Sequence, residues 1–259
     1  MGAAGEPLAR RGAVMLERDG YRVDIRTKAH RGADGSPVPV IEGLAFTLPE
    51  RAFTSVIGPS GCGKTTTLRI LTGLDTAYDG AIDARFGDAR IAVAFQEPRL
   101  LPWRTVAQNV ALALPPGAER AARVAEALAD VGLDGLGDRY PSQLSLGQAR
   151  RAALARAFAV RPDILFLDEP FVSLDESSAQ HLRQLLLNLW ARYRVTILMV
   201  THNVREAVQL SDHIILLSQR PARVVDVVEV TLARNERDAE STTRFSQELA
   251  ALYPTIVAL

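Results

Sequence analysis

The sequence predicts an α/β fold, and three observations predict it. A glycine-rich stretch, "GPSGCGKT", follows a strand-like run and opens a helix-like one. Two apolar runs, "DILFL" (163–167) and "VTILMVT" (195–201), lack the alternation of a half-exposed strand, so they suit strands covered on both faces. Between them Ala179, Leu182, Leu185, Leu186, Leu189 and Trp190 recur at helical spacing. Strand, helix, strand in that order predicts a parallel, right-handed unit.

The elements follow in chain order. Residues 1–12 read as a frayed tail without an export signal, because no apolar core followed by a cleavage site is present. Residues 13–56 alternate short β-like runs ("YRVDIRT", "LAFTL", "FTSVI") with a turn-rich insert, "HRGADGSPVP". The segment "ARIAVAFQ" reads as another buried strand. Residues 105–160 turn Ala-, Leu- and Arg-rich, which predicts a helical subdomain inserted into the α/β core. The segment "STTRFSQELAALY" predicts one more short helix, packed through Phe245, Leu249 and Leu252.

Bulk composition narrows the function classes. Lys plus Arg equals Asp plus Glu at 30 each, so no net field draws the chain onto nucleic acid or anionic lipid. The apolar runs are far too short to cross a bilayer. A lone Cys62 excludes an internal disulfide and a multi-thiol zinc site. The expectation is a cytosolic protein.

The chemistry starts at Gly58, Pro59, Ser60, Gly61, Cys62, Gly63, Lys64 and Thr65, which fill the pattern G-x-x-x-x-G-K-[ST] and run on into Thr66. Glycines let the backbone curl so that successive N–H groups point at phosphate oxygens, and the helix start adds its positive dipole end. Lys64 brings a charge to the β and γ phosphates, and Thr65 offers a hydroxyl to Mg²⁺. "ILFLDEP" then places Asp168 and Glu169 directly after an apolar strand, at the end where open α/β sheets bind ligands. Asp168 is expected to hold Mg²⁺, and Glu169 to orient and deprotonate an attacking water. Gln96 closes "IAVAF" and His202 closes "ILMVT". Taken singly, Gln96 reads as a surface amide and His202 as a helix cap or core imidazole. Taken with Lys64, Thr65, Asp168 and Glu169, they form a polar rim for a triphosphate.

These residues, in this order, resemble the nucleotide-binding subunits of ABC transporters. The resemblance covers about 20–225, through "GPSGCGKTT", Gln96, "LSLGQ" (144–148), "ILFLDEP", "VSLD" (172–175) and His202. It implies a P-loop NTPase (RecA-like) core with an N-terminal antiparallel β subdomain and an inserted α-helical subdomain. The ATP-binding cassette then spans 13–230, with the helical subdomain at about 97–160, and 231–259 form a C-terminal extension. It further implies ATP and Mg²⁺ as ligands and a head-to-tail homodimer with ATP sandwiched between subunits. In that dimer Ser145, Gly147 and Gln148 close on the γ-phosphate held by the partner's Lys64, and Asp175 lies in the loop crossing the interface. The local alternative for Asp175 is a plain helix N-cap, and the two roles can coexist.

The finer resemblance is to importers of nitrate, sulfonate, taurine and related solutes, carried by "FQEPRLLPWRTVAQNVAL" (95–112), "YPSQLS" and "DEPFVSLD". Such ATPases work on the cytoplasmic face of the inner membrane, under a permease fed by a periplasmic solute-binding protein. "PRLLPWRTV" would then lie near the permease's coupling helix. The alternative for Leu100, Leu101 and Trp103 is ordinary core.

Two departures stand out. His30, in "TKAH", aligns where the family carries an aromatic that stacks on adenine; imidazole is flat and can stack with less area, and the competing reading is a plain loop histidine. Leu146 replaces the first glycine of the expected "LSGGQ". That replacement matters only if the position needs φ > 0 or a close phosphate approach. A module that binds ATP without hydrolysing it therefore stays open as an alternative. So does a non-transport ATPase of the same class acting on DNA or ribosomes, against which stand the single cassette and the absence of a basic patch.

Overall fold

The computed structural model describes residues 10–11 and 20–257. In chain order the elements are β1 (Arg10–Arg11), β2 (Gly20–Arg31), β3 (Pro37–Pro49), β4 (Phe53–Ile57), α1 (Lys64–Leu71), β5 (Asp79–Ile82), α2 (Arg85–Asp88), β6 (Ile91–Ala94), α3 (Val106–Ala111), α4 (Arg120–Asp130), α5 (Leu146–Ala159), β7 (Ile164–Asp168), α6 (Glu176–Tyr193), β8 (Thr196–Val200), α7 (Val204–Leu210), β9 (His213–Leu217), β10 (Val224–Glu229) and α8 (Ala239–Leu252). Residues 1–87 with 198–259 make one unit, and residues 88–197 another.

In the first unit β3, β2 and β5 form an antiparallel sheet in that order. The turn-rich insert is the tip of the β2–β3 hairpin, where the Asp34 carboxylate accepts from the Ser36 N–H at 3.0 Å and its hydroxyl at 2.6 Å. His30 therefore sits on β2, opposite Val38, and not in a loop. A second sheet runs β1-β10-β9-β4 and takes in the last residues of β8. Strand β4 is parallel to β9, in register from Thr54 with His213 to Ile57 with Leu216. All five residues of β4 are buried, which suits its unalternating sequence.

Two expectations change here. Arg10 and Arg11 belong to the sheet, opposite Val228 and Val227 of β10; the rest of the expected tail, and 13–19, lie outside the described residues. The C-terminal helix forms, but Leu252 is exposed. Its buried face runs through Thr242, Phe245, Ser246 and Leu249, and one turn on that face reaches Tyr253, so Leu252 points about 100° away. Phe245 and Leu249 join a core with Ile57, Val204, Val208, Ile214 and Leu216.

In the second unit β6 runs parallel to β7, from Ile91 opposite Ile164 to Ala94 opposite Leu167. Strand β7 is buried almost throughout, whereas β6 alternates and stops at Ala94, two residues before Gln96. The sequence pattern overran because Phe95 is apolar; its ring is covered by the Arg99 guanidinium, 3.8 Å from the ring centre. Helix α5 is buried on most sides, and its alanines at 152, 153, 155, 157 and 159 let α3, α4, α6 and β6 come close. Helix α6 buries Ala179, Leu182, Leu186 and Leu189, with Leu185 and Trp190 half-buried at the margins of the stripe. It is tied to α4 by Arg192 and Tyr193, both bonded to Asp130, and by Arg192 to Glu126 at 3.1 Å.

Candidate nucleotide site

The first unit carries the candidate phosphate loop. Strand β4 ends at Ile57, the chain turns through Gly58–Gly63, and α1 begins at Lys64. Two glycines there have no substitute. Gly63 holds φ 127°, and a Cβ on it would come within 3.2 Å of Val40. A Cβ on Gly58 would meet the Cys62 Sγ at 2.9 Å and the Leu217 Cβ at 3.0 Å. The Lys64 ammonium is buried in the curl and donates to the Gly58 carbonyl at 2.7 Å and the Pro59 carbonyl at 3.0 Å.

The start of α1 differs from most other helix starts. Helices α3, α5, α6, α7 and α8 each have a side-chain cap, from Thr105, Ser145, Asp175, Asn203 and Asp238. Helix α1 has only Gly63 and no side-chain cap. Helix α4 likewise lacks a side-chain cap, but α1 follows a glycine-rich turn with a buried lysine, a combination that suits an anion. Thr65 is exposed in the first turn of α1, and Ser60 and Gly61 are exposed on the loop. The Cys62 thiol is buried, and burial pushes its pKa up.

His30 reaches this loop. Its Nε2 lies 3.3 Å from the Thr66 hydroxyl on α1. Two residues earlier on β2, Lys28 is buried and ion-paired with Asp75 at 2.7 Å, just beyond α1, and holds Asp75 below the usual carboxylate range. His202 lies two residues past the end of β8, and the cap of α7 is its neighbour Asn203, which accepts from the Arg205 N–H at 3.0 Å. Thr201 on the other side donates to Glu206 at 2.9 Å, so the backbone around His202 is pinned from both sides.

The second unit carries the remaining candidates. Asp168 is the last residue of β7, and Glu169 follows with a left-handed φ of 48°. Gln96 is exposed. Ser145 caps α5 reciprocally with Gln148: its hydroxyl accepts from the Gln148 N–H at 3.2 Å, and its own N–H donates to the Gln148 side chain at 2.9 Å. Leu146 is the first residue of α5 with right-handed helical backbone, and its side chain is 43% exposed. A Cβ on Gly147 would touch only Ser178, at 3.9 Å. Neither position demands glycine within this chain. Asp175 does cap α6, accepting from the Ser178 N–H at 2.9 Å, and the Ser178 hydroxyl, with that N–H, keeps its carboxyl below the usual range.

Sequence reasoning missed two arginines on α5. Arg150 donates to the carbonyls of Pro170 and Val172, just after Glu169. Arg156 donates to the carbonyls of Pro98 and Arg99, both at 2.8 Å, just after Gln96. The available signal was three arginines, Arg150, Arg151 and Arg156, set among the alanines of one helix; Arg151 donates to the carbonyls of Val131 and Gly132, both at 3.1 Å.

Comparison with known proteins agrees with this geometry. Residues 41–172 match the family model described as ABC transporter. The chain is 40% identical over 218 residues to the aliphatic sulfonates import ATP-binding protein SsuB 1 of Pseudomonas syringae pv. syringae, covering 83% of this chain and 90% of that protein. It is 44% identical over 206 residues to a protein of the same name from Pseudomonas aeruginosa, covering 75% and 82%. Among solved structures it is similar to the ATP-binding cassette MJ0796, determined as a dimer in a post-hydrolysis state bound to ADP and Pi, with TM-score 0.70, 27% identity and coverage of 82% of this chain and 100% of that one. At that identity and coverage the chain belongs to the ABC transporter family, among its ATP-binding proteins.

Proposed function

We propose that this chain is the ATP-hydrolysing subunit of an importer of small solutes of the nitrate, sulfonate and taurine type. It works as a head-to-tail dimer on the cytoplasmic face of the inner membrane, beneath a permease that a periplasmic binding protein feeds. The observation that carries the reading is the phosphate loop: a buried lysine held by the loop's own carbonyls beside an uncapped helix start. The import names of the relatives and the dimeric cassette support the setting.

Each residue then has a task. Lys64 exchanges the Gly58 and Pro59 carbonyls for β- and γ-phosphate oxygens. The first N–H groups of α1 bind the same phosphates. His30, beside Thr66, offers its ring face to adenine. Thr65, Gln96 and Asp168 are hard oxygen donors suited to Mg²⁺, which supplies neutralisation of the phosphate charge. Glu169 orients the attacking water and accepts its proton. Gln96 and His202 line the γ-phosphate end. Ser145, Gly147 and Gln148 close over the nucleotide of the partner, and Asp175 serves the interface loop besides capping α6.

The permease contact falls on the segment after Gln96. Trp103 is 70% exposed, so the core reading fails for it, while Leu100 and Leu101 are half-buried. Beside them lies a groove of about 470 Å³ lined by Arg99, Leu101, Leu112, Ala113 and Val160. The non-hydrolysing alternative rested on Leu146 and His30; the helical backbone of Leu146 counts against a need for positive φ there, and Leu146→Gly tests the approach of the partner's phosphate.

The test is Mg²⁺-dependent ATPase activity of purified protein, alone and with its permease. Glu169→Gln is expected to lower turnover by about a hundredfold or more while leaving ATP bound, and Lys64→Ala to abolish binding and turnover together. Equal turnover after Glu169→Gln removes the base assignment.

A further inference from the structure

We propose that helix α5 is a yoke: through Arg150 and Arg156 it ties the signature segment to the two loops that follow Glu169 and Gln96, and both arginines are positioning residues for hydrolysis. The inference rests on the reading of Glu169 and Gln96 given above.

The argument is geometric. Arg150 lies five residues after the cap Ser145, is 6% exposed, and forks its guanidinium onto the carbonyls of Pro170 and Val172. Those carbonyls lie within the segment bounded by Glu169 and Ser173, two non-glycine residues with left-handed φ of 48° and 64°. L-residues are strained in that region and persist only where the surroundings hold them. Arg156, six residues further along α5, repeats the arrangement. Its fork holds the carbonyls of Pro98 and Arg99, and Arg99 is itself left-handed at φ 48°. Burial lowers the pKa of Arg156, the sign of a guanidinium taken out of water for these bonds.

One rigid helix thus begins at Ser145 and grips, at two points, the loops that leave the strand ends of Asp168 and Ala94. A shift of its N-terminal turn, such as a nucleotide closing on Ser145 would impose, moves both loops as one body. Lysine could not replace either arginine, because a single ammonium on a flexible stem does not satisfy two carbonyls in fixed directions.

The test is a set of double-mutant cycles read by single-turnover and steady-state ATP hydrolysis, with MgATP affinity measured separately. Arg150→Lys is expected to lower kcat by about ten- to a hundredfold with affinity changed less than about twofold, as displacement of a base requires. Added to Glu169→Gln, it lowers the residual rate no further; added to Gln96→Ala, it multiplies. Arg156→Lys shows the reverse pattern, silent over Gln96→Ala and multiplicative over Glu169→Gln. Should each arginine multiply with both partners, the effects are general destabilisation and the yoke is wrong. An unchanged kcat in both lysine variants overturns it equally. If Arg150→Lys does not fold, the half-buried Arg156 arm decides alone. If Glu169→Gln itself leaves turnover intact, the base assignment is what fails. The yoke is then judged by whether kcat falls at constant affinity in the lysine variants.

Discussion

Leu146 stands where the family pattern has glycine, yet it opens α5 in ordinary helical backbone with its side chain 43% exposed. Glycine could contribute only freedom or room there, and within this chain the backbone takes an ordinary helical conformation that needs no glycine freedom. Leucine is in fact the better helix former, by at most about 1 kcal/mol in a helix interior and less in the first turn. Leu146→Gly is therefore expected to lower the unfolding midpoint by a degree or two at most, on the order set by that propensity difference. Steady-state ATPase should stay within about twofold of the parent, because Ser145 and Gln148 keep their reciprocal cap. A tenfold gain in turnover would show that the leucine had been holding the nucleotide sandwich apart.

At the scale of elements, α6 is fastened at its end as well as along its stripe. The Tyr193 hydroxyl donates to Asp130 on α4, and Arg192 pairs with the same carboxylate. Burial first, and then the bond to Asp130, push the Tyr193 pKa up to about 12 from the ordinary value near 10. The sign follows from linkage. The folded state prefers the protonated phenol, so this stabilisation is complete below pH 10 and is lost as pH rises from about 10 to about 12. Denaturant midpoints of the parent and Tyr193→Phe should differ at pH 9 and converge toward pH 12. A gap that persists unchanged across that window would mean the phenol's proton does not matter. The stripe of α6 was legible in the sequence because a 3.6-residue period of leucines leaves a mark, as were β7 and β8 from their unbroken apolar runs. Strand ends were less so. The strand-like sequence pattern carries through Phe95 and Thr201, past the strand ends at Ala94 and Val200. The turn between β4 and α1 was legible in the sequence, since a Cβ on Gly58 or Gly63 would crowd its neighbours and glycine leaves its mark there. The grips of Arg150 and Arg156 were not, because their acceptors are backbone carbonyls, which every residue possesses.

Across the whole chain, the C-terminal extension is part of the fold of the first unit. Arg234 pairs with Asp212 at 2.7 Å, and Arg237 donates to the carbonyls of Leu232 and Ser211 at 3.0 and 2.8 Å, closing the C-terminal end of α7. Leu249 is fully buried in the cluster that includes Ile57, the residue immediately before the phosphate loop. Leu249→Ala should cost about 2–5 kcal/mol, the range for a buried leucine whose cavity closes only in part. The cost falls on stability and not on nucleotide binding, because Leu249 belongs to the layer behind β4 and Gly58–Thr65 keep their own contacts. MgATP at a hundredfold excess over Kd should therefore add the same increment, about 2.7 kcal/mol, to parent and variant alike. Equal increments with a lowered baseline, read from denaturant melts with and without nucleotide, fit a structural extension. A smaller increment in the variant would show instead that α8 shapes the loop through Ile57, and 231–259 would then belong to the nucleotide site.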